Sequence, residues 1–201
     1  MLVRFAPLLS LCLLFGAGIV WRCLHHLRHH GTIGFAPLNV KDWGIAPALA
    51  LLLGLAGFAQ VIAAAFAPEY LAPFVVDLGA VGPVLGALLV IGGTALMVSS
   101  QLSLGASWRI GIDPNATPGL VTTGWYRASR NPIFLCMLCA IAGVALLLPT
   151  VLSALLVLAC WAAVRKQVDA EEKWLAKVYG DRYRAYAARV GRFFPGVGRL
   201  T

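Results

Sequence analysis

The sequence predicts an all-α integral membrane protein with about five transmembrane helices, a C-terminal helical hairpin and a cytoplasmic amphipathic helix. Three observations carry this expectation. Of 201 residues, 60% are hydrophobic and 12% charged, against about 45–50% and about 25% in soluble domains. Several apolar runs approach the roughly 20 residues needed to cross a bilayer. The 16 lysines and arginines gather in alternate connecting segments, the pattern that topology imposes. One compact bundle accounts for the length.

The first span is expected over Phe5–Trp21. Arg4 and the leucine-rich run have the look of a signal peptide. No small-x-small cleavage site leads into a polar mature start, so the segment reads as a retained helix. Ile45–Phe66 and Val81–Ser100 are plain apolar runs. Ile133–Leu148 and Thr150–Val164 are short and separated only by Pro149. That spacing predicts a tight hairpin whose backbone groups are satisfied within its own helices.

Orientation follows from the basic residues. The Arg22–Gly44 connection carries Arg22, Arg28 and Lys41; the segment after the third span carries Arg109, Arg127 and Arg130; the tail from Arg165 carries nine more. Between the second and third spans stand Glu69 and Asp77, with no basic residue. Five spans with an outside N-terminus place every basic residue except Arg4 in the cytoplasm. The net charge of +8 then faces anionic headgroups of the lipid bilayer. Because the charge tracks topology and no nucleic-acid module accompanies it, nucleic acid is excluded as a partner.

Cys136 and Cys139 have the CxxC spacing but sit inside a spanning run with no second pair, so the five cysteines read as helix packing. The "HHLRHH" run, His25 to His30, sets histidines at i,i+4. No carboxylate or cysteine nearby completes a metal site, and a juxtamembrane basic cluster is the better reading. No metal is expected.

Three polar segments stand out at the cytoplasmic level. The first is "LVTTGWYRASRNPIF", Leu120 to Phe134. Gly119 and Gly124 let main chain approach a flat ligand, Arg127 and Arg130 offer cationic forks, and Asn131-Pro132 reads as a cap and first turn of the next helix. A positive-inside loop ending in a cap is the plain alternative. The second is "LGASWRIGIDP", where Trp108 is either an interfacial anchor or, with Arg109, part of a site. The third is the tail, where Arg165, Val168, Glu172, Leu175 and Tyr179 recur at helical spacing. Glu172 shares that stripe with Arg165, while Glu171 points about 100° away. Gly180-Asp181 reads as a stop and a new start, and Tyr183, Tyr186 and Val190 form a second stripe. The tail is either a lipid-surface helix or a cover that brings Arg165 and Glu172 into a partly buried site.

In this order, "LVTTGWYRASRNPIF", a hairpin, and "EEKWLAKVYGDRYRAYAARVGRFFP" resemble the superfamily of isoprenylcysteine carboxyl methyltransferases and phospholipid methyltransferases. These are integral-membrane enzymes that use S-adenosylmethionine (SAM). The match covers about Leu104 to Pro195. It implies that Leu120, Val121, Gly124, Tyr126, Arg130, Asn131, Pro132, Glu171, Glu172, Tyr183 and Tyr186 bind the cofactor. It also implies catalytic roles for Arg165 and Glu172, with Trp108, Arg109 and Arg165 on the acceptor. Trp125 and Asn131 depart from the family's usual proline and histidine, and asparagine does not titrate near neutrality. Residues 1–100 are then expected to shape a lipid pocket and residues 101–201 to form the methyltransferase core.

The resemblance implies in-line methyl transfer, in which alignment and exclusion of water do most of the work. The matched half has no histidine. An anionic acceptor, which needs no general base, is favoured over an amine. A lipophilic or lipid-linked carboxylate of the prenylcysteine type is therefore expected. A phospholipid amine or a small thiol is the alternative within the class. A sterol-reductase-like membrane oxidoreductase and a non-enzymatic lipid- or partner-binding membrane protein are the rivals outside it.

Overall fold

The computed structural model describes residues 2–34, 46–110 and 119–200. The rest of the expected Arg22–Gly44 connection, with Lys41, and the residues following Ile110 in "LGASWRIGIDP" lie outside the described residues.

Helix α1 runs Ala6–His30 with a π-helical turn over Gly16–Trp21. It continues past the expected end at Trp21 because no breaker intervenes before Gly31, which takes φ 73°. Helix α2, Ala46–Phe66, is apolar apart from Gln60. Helix α3 is Val81–Leu104, α4 is Pro132–Leu147, α5 is Val151–Tyr179 and α6 is Asp181–Arg189. Residues Ala6–His30, Val81–Ser107 and Val151–Tyr179 are long and apolar enough to cross a membrane, with Leu52–Phe66 and Pro132–Leu147 as shorter apolar helices beside them. The chain is an all-α integral membrane protein. An isolated β-bridge joins Ser129 to Gly191.

The tightest seam is α3 on α4. In lipid, helices associate by close packing rather than by hydrophobic expulsion, and small residues let backbones meet. A Cβ on Gly143 would lie 2.6 Å from the Gly86 carbonyl oxygen, and one on Gly93 would lie 2.8 Å from that of Cys136. Helix α1 leans on both α3 and α4 as well as α2, while α2 bridges α1 and α5.

The expected hairpin forms around Pro149, and side chains secure it. Thr150 caps α5 by accepting from the Ser153 backbone N–H at 3.0 Å. Its hydroxyl donates to Gln60 Oε1 at 2.9 Å, and Gln60 Nε2 donates to Ser153 Oγ at 2.9 Å. Val61 and Ala64 of α2 bury against Leu148 at the same end. Toward its other end α2 stands freer, with Leu55 and Phe58 more than half exposed.

The second limb of the hairpin runs straight into the amphipathic stretch beyond Val164. Nothing between Val164 and Tyr179 breaks the helix, so both are one 29-residue rod. At 1.5 Å per residue it is about 43 Å long, longer than the roughly 30 Å hydrocarbon layer. Gly180, at φ 53°, makes the turn into α6, as the sequence suggested.

Candidate functional site

The segment from Leu120 to Pro132 descends in extended form, makes one 3-10 turn over Gly124–Arg127 and enters α4 at Pro132. Gly124 needs its positive φ of 59° to start that turn. Trp125 is turned outward and donates from Nε1 to Ser99 Oγ at 2.8 Å, whereas Tyr126 is buried.

Arg130 is the centre of the arrangement. All five of its N–H groups are engaged. Nε and Nη2 donate to the two Glu172 carboxylate oxygens at 2.9 and 3.2 Å. Nη1 donates to the carbonyls of Ala187 and Val190, and Nη2 also to that of Gly198. The side chains of this pair are 1% and 7% exposed. Glu172 further accepts from Asn131 Nδ2 at 3.0 Å and from Arg192 at 2.8 and 3.0 Å, while Arg192 also donates to Asp169 at 2.7 Å. Four stretches of chain are thus tied at one point: the Arg130-Asn131 turn, α5, the end of α6, and the terminal segment.

Several expected placements change. Asn131 precedes α4, but its side chain makes no capping bond; it is spent on Glu172 and on the Arg192 carbonyl. Arg165 is not the partner of Glu172. The buried stripe of α5 runs Val164, Val168, Glu172 in steps of four, which drifts around the helix and leaves Arg165 exposed. Glu172 is a buried hub rather than a free carboxylate, with both oxygens already occupied.

Beside this hub opens a cavity of about 930 Å³. Of the residues the sequence singled out, its wall takes Trp108, Arg109, Leu120, Val121, Tyr126, Arg130, Asn131, Glu171, Tyr183 and Tyr186. Gly124, Pro132, Arg165 and Glu172 are not in it. Gln167 and Trp174, which the sequence reading passed over, are in the wall too. They lie four residues before and three after Glu171, so one face of α5 presents all three. Gln167 Nε2 donates to Glu171 Oε1 at 2.7 Å, and the Arg109 guanidinium lies 5.3 Å from the centre of the Trp174 ring.

The tyrosines line the same mouth. The Tyr186 hydroxyl donates to the Tyr126 carbonyl at 2.7 Å, and the Tyr183 and Tyr186 rings meet edge to face with centres 6.1 Å apart. Burial pushes the Tyr186 phenol up to about 12, with the Glu172 carboxylate adding and Arg130 opposing. Burial likewise raises Tyr126 and Tyr183. These phenols remain protonated at neutral pH and act as hydrogen-bond donors, not bases. Among the described residues the buried Tyr183 hydroxyl has no hydrogen-bond partner.

Away from this mouth the wall becomes apolar. Leu14, Phe58, Met97, Met137 and Leu156, one from each of the first five helices, line it. Ser153 and Trp174 both belong to the wall, so the cavity follows about 30 Å of α5. The histidines of α1 sit behind Trp108: His26 is buried against it at 5.5 Å, and His25 stacks on His29 at 4.1 Å. Among the described residues no three His, Cys, Asp or Glu side chains converge as a metal site.

The chain is a helical membrane protein with a polar-mouthed cavity running deep into its bundle. Residues 81–182 match the family model described as phospholipid methyltransferase, just over half of the chain, and the protein belongs to that family. No match is found among curated protein sequences. Among solved structures, the fold is similar to that of the eukaryotic intramembrane Ras methyltransferase, isoprenylcysteine carboxyl methyltransferase, determined without a monobody, with a TM-score of 0.55 and 18% sequence identity. The likeness covers 82% of this chain and 56% of that one, so the chain spans little more than half the length of that relative.

Proposed function

We propose that the protein is a SAM-dependent methyltransferase acting on a lipidic or lipid-linked acceptor, with its mouth at the cytoplasmic face of the membrane. The observation that supports this reading is the single cavity that joins a polar, aromatic mouth to a long apolar interior. In this reading residues 101–201 supply the methyltransferase core, and residues 1–100 share the hydrocarbon wall with α4 and α5.

The residues present fit the cofactor. Its amino-acid part carries an ammonium, and the wall offers the Glu171 carboxylate to hold it. Tyr126, Tyr186 and Trp174 offer flat faces for a purine. Arg130 and Glu172 instead hold the mouth in shape, because their hydrogen-bonding capacity is exhausted. Bound there, SAM supplies an electrophilic methyl group. Leu120, Val121 and the tyrosine rings exclude water from it. Trp108 and Arg109, between mouth and interior, orient the acceptor's head.

A carboxylate acceptor held by Arg109 needs no base. The family match favours a second reading, a phospholipid amine; Glu171 would then take its proton in place of holding the cofactor's ammonium.

Calorimetric titration with S-adenosylhomocysteine tests the proposal. Saturable binding is expected in the native protein. Glu171→Ala should weaken it at least about tenfold, the loss of one charge-assisted contact, without changing the thermal unfolding temperature. A folded native protein that binds NADPH and not S-adenosylhomocysteine would point to a reductase. One that binds neither would return the tail to a lipid-surface role.

A further inference from the structure

Beyond α6 the chain makes a turn that carries no polar side chain. In Phe194-Pro195-Gly196-Val197 the Val197 N–H donates to the Phe194 carbonyl at 3.1 Å, and Gly196 takes φ 78°. Proline second and glycine third is the pattern of a type II turn. A Cβ on Gly191 would collide with the Phe194 carbonyl, so the turn sits hard against the start of its own loop. All four residues are exposed, Phe194 at 54% and Val197 at 63%. A contiguous apolar tip of this kind marks an interaction surface.

The residue before the turn sets its depth. Phe193 is buried with Leu138, Val164 and Val168, and its ring centre lies 5.4 Å from that of Trp161. Counted from the hairpin end of α5 at Val151, Trp161, Val164 and Val168 stand about 15, 20 and 26 Å along the rod. All three fall within the roughly 30 Å of a hydrocarbon layer. The outward stripe of α5 runs Val151, Leu155, Leu158 and Trp161, each between 38% and 71% exposed. Steps of four, three and three keep them on one face, the face a spanning helix turns to lipid. That stripe ends on Trp161, where Phe193 packs, so Phe194 continues a lipid-facing surface. The charge beside it agrees. Arg199 Nη2 lies 3.6 Å from where a Cβ on Gly196 would stand, which sets a cationic head next to an apolar tip as in side chains that reach up to lipid phosphates.

We propose that the Phe194–Val197 turn is a membrane-insertion element whose apolar tip enters the acyl chains of the leaflet at the mouth. The inference stands apart from the methyltransferase reading and needs only that α5 spans the bilayer. The same loop supplies contacts of the buried hub. The Gly191 carbonyl accepts from the Arg130 backbone N–H, the Gly198 carbonyl accepts from the Arg130 guanidinium, and Arg192 donates to Glu172. Lipid that holds the turn therefore holds the loop from which the hub hangs.

Photocrosslinking of the full chain in phosphatidylglycerol nanodiscs tests this, with p-benzoylphenylalanine in place of Phe194 or of Val197. Both side chains project from the surface, so the replacements leave the packing intact. Irradiation is expected to attach the probe to a phospholipid acyl chain at both positions, read by mass spectrometry. The same probe in place of Lys177, exposed and about 39 Å along α5, should gain no lipid. Phe194→Trp, aromatic for aromatic, gives an independent reading: the emission it adds to that of the native protein should be quenched by chain-brominated phospholipid.

Absence of an acyl adduct at 194 and 197 overturns the proposal, and so does added emission that brominated chains leave unquenched, because the turn then stands in water. A protein–protein adduct overturns it in favour of a second copy covering the turn. Acyl adducts of equal yield at 177 overturn it as well, since the probe then reports lipid that merely drifts past.

Discussion

Glu172→Ala is expected to unfold the mouth rather than merely inactivate it. The substitution leaves Arg130 buried, with its Nε and one Nη2 bond gone, and releases Asn131 and Arg192 at the same time. Removing one partner of a buried ion pair costs about 3–5 kcal/mol, because the other charge stays buried without compensation. That is a large share of the about 5–15 kcal/mol that holds a typical domain folded. Thermal unfolding in detergent should therefore shift strongly downward, and cofactor-analogue binding should disappear with it. Arg165→Ala, on the exposed side of the same helix, should leave the unfolding temperature unchanged. The contrast with Glu171→Ala is the informative one: adjacent carboxylates, one lost to stability and the other to binding. Equal unfolding temperatures for the two variants would remove the hub assigned to Glu172.

Gly143→Leu is expected to be comparably damaging for a different reason. A Cβ at 143 already lies within 2.6 Å of the Gly86 carbonyl oxygen and 2.8 Å of the Val90 nitrogen, both of them backbone. Backbone atoms cannot swing aside as a flexible side chain can, so α3 and α4 must separate along their whole seam. Overpacking costs typically about 1–3 kcal/mol where side chains absorb it, and here they do not. Gly92→Leu is the control, since a Cβ there meets nothing within 4 Å. Proteolysis in detergent should cut the Gly143 variant and spare the Gly92 variant. Equal resistance would show that the seam tolerates an opening.

Much of this was legible in the sequence, and the parts that were not share a cause. The apolar runs, the hairpin at Pro149 and the break at Gly180 follow from local composition and from residues with restricted or special backbone freedom. The Leu120–Pro132 segment drew attention because its order with the tail is distinctive. The face of α5 was misjudged. Choosing the stripe with the most apolar members selected Val168 and Glu172, which pack inward, together with Leu175, and passed over Gln167 and Trp174, which meet the cavity beside Glu171. Periodicity reports which residues share a face, not whether that face meets protein or an open space. The Gln167 and Trp174 spacing around Glu171 was the available signal. Gln60 carried no signal of its own, because a single polar residue in an apolar run becomes informative only when its partner, 90 residues away, is known.

Helix α5 carries both the Thr150 cap at the hairpin and the Glu171 face at the mouth, with no break between them. A rod has no joint at which to absorb a mismatch. Transmembrane helices answer a change in bilayer thickness chiefly by tilting, and a tilt of this one displaces the cavity wall by the same angle at both ends. An unbroken helix of this length is thus expected to carry a change in membrane thickness to the mouth of the cavity, where the proposed reaction would take place.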